Sequence, residues 1–140
     1  KWIKEIADTD TIIDKNSLRY SKWLEEATGK LHKKNVPFMA GTDTPIGYLI
    51  PVRSLHIELE VMVESGFSNL EAIKSATLNP AKFFGLENKE GRIKNGYKAD
   101  LVILNSNPLD NIRNTQDISA VIKNGEFLSR ESLDSLIYKN

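Results

Sequence analysis

The 140-residue chain contains no cysteine, which excludes disulfides and thiolate metal sites and leaves the redox compartment open. It has no excess of either charge, with 19 basic and 19 acidic residues, so bulk charge draws it neither to nucleic acid nor to an acidic membrane. It has no long hydrophobic run. Stretches such as residues 101–104 fall far short of the roughly 20 apolar residues a bilayer span needs. No signal peptide is visible in these residues; the location is open, with the cytoplasm favoured and an upstream signal peptide as the alternative. No P-loop and no Gly-x-Ser-x-Gly motif is present, and the serines have no evident histidine partner. Histidine is scarce, with only His32 and His56, and neither lies in a metal-type spacing. The first residue is Lys1, and the opening residues read as the middle of a longer chain.

What remains is a globular composition, 40% hydrophobic, with enough chain for one domain or parts of two. Residues 2–7 carry a helical fragment. Asn16 and Ser17 can cap a helix over residues 17–34, with Tyr20, Trp23, Leu24, Ala27 and Leu31 at helical spacing and Gly29 as a local weakness. Residues 36–42 then read as a short buried strand, and "TPIGYLIP" as a loop. A second helix is predicted over 52–65, closed by Gly66 in a left-handed cap. Ser68 and Glu71 form a capping box for a third helix over 69–77. Asn79-Pro80 opens a fourth over 80–84, with Pro80 at the first helical position and Gly85 at its end. From Gly91 the period changes. Asn95-Gly96 is a turn, residues 101–104 a buried strand, and "AVIKNGEFLS" a hairpin turning at Asn124-Gly125. Residues 133–138 fit a terminal helix. The order is α/β first, then mostly β.

"VPFMAGTDTP" carries the sharpest question. A buried strand needs no acid, and an unpaired buried carboxylate is costly. Yet this apolar run, residues 36–40, is followed by Gly41, Thr42 and then Asp43. In parallel α/β architectures ligands meet the carboxyl ends of the strands. An aspartate there can ligate a metal or move a proton. Gly-Thr-Asp alone fits a turn-forming aspartate better. His32, in the last turn of a lysine-rich helix, reads as a solvated residue favoured by the helix dipole. His56 fits a packing histidine or a ligand contact.

Four blocks in order, "AGTDTP", "SLHIELEVMVESGFSNLEAIKSATLNPAKFFGL", "GRIKNGYKADLVILNSNPLDNI" and "VIKNGEF", resemble the C-terminal portion of the metal-dependent amidohydrolase superfamily. The imidazolonepropionase-like and Xaa-Pro dipeptidase-like members are the nearest in pattern. The resemblance runs from about residue 31 to residue 128. It implies the last βα units of a (β/α)8 TIM-type barrel over residues 1–90, with strand eight at 36–42. It implies part of a small β-sandwich domain over residues 91–140. It further implies that Asp43 binds the catalytic metal and shuttles the hydrolytic proton, and that Thr44, Tyr48 and His56 serve the substrate site, His56 by indirect support.

The superfamily's other ligands, a His-x-His pair, often a carboxylated lysine, and two more histidines, come from earlier strands and are absent from this chain. The implied function is therefore that of a C-terminal piece of a hydrolase acting on C–N bonds of small molecules or dipeptides, not an endoprotease. A divalent metal, zinc first, is expected in the complete enzyme and is not expected to be held tightly by this chain alone. The expected partners are a small-molecule substrate and either the missing N-terminal part or further copies of the chain. The faces at Trp23, Leu24, Leu59 and Met62 would otherwise lack a cover. The competing reading is a stand-alone, non-catalytic binding or assembly module.

Overall fold

The computed structural model describes residues 15–44 and 53–138. Helix α1 spans Lys15–His32, α2 Arg53–Glu64, α3 Asn69–Ser75 and α4 Leu78–Phe83. A β-rich segment follows, with β1 Leu101–Leu104, a 3-10 turn Ile112–Gln116, β2 Ile118–Lys123, β3 Glu126–Ser129 and a final helix, α5, Arg130–Tyr138. The helical fragment expected at residues 2–7 and most of the "TPIGYLIP" loop lie outside the described residues.

Several local signals form as read, but Asn16 and Ser17 lie inside α1, which already runs from Lys15, and so do not cap it. Ser68 caps α3 and accepts from the Glu71 amide, while the Glu71 carboxylate accepts from the Ser68 amide at 2.8 Å. Gly66 follows α2 with φ of 105°, and Asn124 and Gly125 turn the hairpin with φ of 52° and 84°, the left-handed pair of a two-residue turn. The hairpin pairs Val121 with Leu128 and Ile122 with Phe127. Strand β1 adds to the other edge of β2, giving an antiparallel sheet in the order β1-β2-β3.

Several expectations need correction. No strand forms over residues 36–42. A strand exists only through a ladder, Pro37 has no N–H to offer one, and the described residues bring no second strand alongside. Helix α4 begins two residues before Pro80, which is its third residue. Strand β1 is not buried: Val102 is 57% exposed. Leu59 and Met62 are not left uncovered, because they sit inside this chain's own core.

That core unites Leu59 and Met62 of α2 with Phe67, Ala72 of α3 and Ile112 of the 3-10 turn. Phe38 and Ala40 pack against it from the segment before Asp43. His32 is also drawn in. Its ring stacks on Phe67 with centroids 3.8 Å apart, and Phe38 meets Phe67 edge-on at 5.2 Å. The expected solvated helix-end histidine is thus an aromatic contact of the core. The outer face of α1 stays open, with Tyr20 and Trp23 stacked on each other and both exposed.

Candidate active site

Asp43 lies at the end of a segment tied to three helices in turn. The Phe38 carbonyl accepts from the Asn79 side chain of α4 at 2.8 Å. The Ala40 amide donates to the Ser75 carbonyl at 3.0 Å, satisfying a free C-terminal carbonyl of α3. The Gly41 amide donates to the Glu58 Oε1 of α2 at 2.9 Å. Past these tethers Asp43 is exposed, as Gly41 already is. Its φ is 50°, a left-handed conformation that ordinary residues adopt at a cost of about 1–2 kcal/mol and that Asp tolerates better than most. On either side of it, the Thr42 and Thr44 hydroxyls approach within 3.4 Å. The aspartate therefore sits at the end of a helix-braced apolar segment that is not buried as expected: Val36 and Met39 face solvent, and only Phe38 and Ala40 turn toward the core.

Glu58 is the residue that the sequence reading missed. One carboxylate oxygen holds Gly41, and the other is buried without a donor among the described residues. A hydrogen bond to a charged group contributes about 1.5–3 kcal/mol, while a buried unsatisfied acceptor costs about 1–3 kcal/mol. The two nearly cancel, so Glu58 is a poor stabiliser and a good tether. The only hint in the sequence was its place two residues after His56.

His56 works on a different neighbour. Its Nδ1 lies 3.0 Å from the Thr115 Oγ1 in the 3-10 turn. The Thr115 hydroxyl donates to the Ile112 carbonyl at 2.8 Å, so its oxygen is left to accept. That assigns the imidazole proton to Nδ1 and leaves a lone pair on Nε2. Burial lowers the His56 pKa, partly offset by the Glu60 carboxylate, which favours this neutral form. Glu60 itself is bridged to the same turn by Arg113 and Gln116, each at 2.8 Å. Residues two apart on a helix leave it roughly 160° from each other. Glu58 thus reaches the Asp43 segment while His56 and Glu60 reach the β-rich segment. Tyr48 lies outside the described residues.

Among the described residues no three His, Asp or Glu side chains gather closely enough to hold a metal ion. A zinc centre takes about four ligands, and Asp43 supplies one. The described residues by themselves do not fit a metal centre. Nor is any described helix long and apolar enough to cross a membrane.

The amidohydrolase family profile matches residues 3–128. The chain belongs to the amidohydrolase family. Ochratoxinase of Aspergillus niger is 37% identical over 91 residues, 64% of this chain and 18% of that protein. The solved structure of a Xaa-Pro dipeptidase with methionine bound in its active site superposes with a TM-score of 0.68 at 32% identity, over 75% of this chain and 25% of that one. Molinate hydrolase superposes with a TM-score of 0.66 at 28% identity, over 73% and 25%. This amidohydrolase chain thus spans about a fifth to a quarter of these three proteins. Its relatives include a dipeptidase and other hydrolases, and its mixed helix-and-sheet fold agrees with theirs.

Proposed function

We propose that this chain is the C-terminal part of a metal-dependent amidohydrolase that hydrolyses C–N bonds of small molecules or dipeptides. In this reading residues 36–42 become the last strand of a (β/α)8 barrel once neighbouring strands flank them. The β-rich segment becomes part of a small β-sandwich. The observation that carries the reading is the placement of Asp43: an exposed carboxylate at the end of a braced apolar segment, in a chain of amidohydrolase sequence.

Asp43 has two parts in this proposal. Its carboxylate gives one oxygen donor to a divalent metal, zinc being the first candidate, whose Lewis acidity would serve the attack on the C–N bond. The same carboxylate accepts the proton of the attacking water and returns it to the leaving nitrogen. Thr44 beside it, and Tyr48 beyond, fall to the substrate. His56 serves the site indirectly, by holding α2 against the 3-10 turn, a role its bond to Thr115 favours.

The test is Asp43→Asn in the complete gene product, assayed against a panel of dipeptides and N-acyl amino acids. The amide keeps the size and loses both charge and basicity. Turnover is expected to disappear while the melting temperature and circular dichroism stay as in the parent. Near-parental kcat in the variant would remove Asp43 from the reaction.

A further inference from the structure

We infer that Glu58 is a positioning residue for Asp43, acting through the Gly41 amide. This inference rests on the catalytic reading of Asp43 but makes its own claim about the chain. The contact spans 17 residues of sequence and joins α2 to the backbone two residues before the aspartate. Of the three tethers on this segment it is the nearest to Asp43, and unlike the one to Ala40 it is made by a side chain. Beyond Gly41 the backbone must enter the left-handed region at a non-glycine residue, and such a conformation persists only where the surroundings hold it. Glu58 is the group that fixes the chain direction just before that point. Its other oxygen is buried with no donor among the described residues, so the side chain is not one that packing alone would select. The task of Glu58 is orientation: it delivers the Asp43 carboxylate at one place and in one direction. Displacing a reacting group by about 1 Å can cost about 100-fold in rate.

Glu58→Gln keeps the acceptor oxygen for Gly41, and Glu58→Ala removes it. Amide hydrogen exchange of the 140-residue chain, resolved at Gly41, reads the tether without any need for activity. Exchange at Gly41 is expected to rise at least 10-fold in E58A, to stay near the parental rate in E58Q, and to be unchanged over Asn69–Ser75 in both. Parental exchange at Gly41 in E58A would overturn the inference. Equal acceleration across Asn69–Ser75 would also overturn it, since that is general loosening.

In the complete gene product, E58A is expected to lower kcat about 10- to 100-fold with KM little changed. E58Q is expected to recover most of that loss. Parental kcat in E58A, alongside an inactive D43N, would end the positioning role. An active D43N would instead end the catalytic reading of Asp43 and leave the exchange result standing.

Discussion

Gly29→Ala sets two physical effects against each other, and the structure says which wins. Gly29 is buried in the interior of α1. Helix propensity alone predicts that alanine stabilises the chain there by about 1 kcal/mol. A Cβ built on Gly29, however, would stand 2.5 Å from the Ser65 carbonyl oxygen, just past the end of α2. The nearest relief is a retreat of nearly 1 Å by one of the two backbones, since a carbonyl has no rotamer to change. Forcing an extra carbon into a tight contact typically costs about 1–3 kcal/mol. The net expectation is destabilisation by about 1 kcal/mol, with α1 loosened from α2. Urea unfolding at fixed protein concentration measures it, because association shifts the midpoint. The denaturation midpoint should fall with little change in slope. A midpoint above the parental one would show that propensity dominates and that α1 does not approach α2 as described.

His56 gives a pH dependence with a definite sign. Its pKa is lowered in the fold, so the unfolded chain binds the extra proton more readily, and its contribution is present above about pH 6.5 and lost as the pH falls through the folded value. The melting temperature should therefore drop between pH 7 and pH 5, and His56→Gln should flatten that drop; an unaltered profile would refute the assignment. The chain washed with chelator should hold far less than one zinc per chain, as a single carboxylate cannot close a coordination sphere, and stoichiometric zinc lost on Asp43→Asn would contradict this. The exposed face at Tyr20, Trp23 and Leu24 predicts association: sedimentation of the 15.8 kDa chain should show more than monomer at micromolar concentration. A compact, cooperatively melting monomer would favour a self-sufficient domain.

The parts legible in the sequence are those decided by neighbours a few residues away. The Ser68 and Glu71 box, the Asn124-Gly125 turn and the glycine after α2 each need only local geometry. Helix spans came within one or two residues for α1, α2 and α3 for the same reason. What failed depends on distant partners. A strand over residues 36–42 requires flanking strands, and the burial of β1 requires a second layer over Val102. His32 looked solvated because Phe67, 35 positions on, is invisible to helical periodicity. At the candidate site the place of Asp43 just after an apolar run was readable, while the role proposed for it came from the family resemblance and not from Gly-Thr-Asp alone. Glu58 and Asn79 were not, since each acts on backbone 17 or 41 residues away.

The central claim is that Asp43 belongs to a metal site whose other ligands precede this chain. The most direct measurement is the coding sequence upstream of Lys1. The account predicts an open reading frame continuing for several hundred residues, with a His-x-His motif near its start and further histidines at the ends of predicted strands. A start codon just before Lys1, with no such motif, would contradict it.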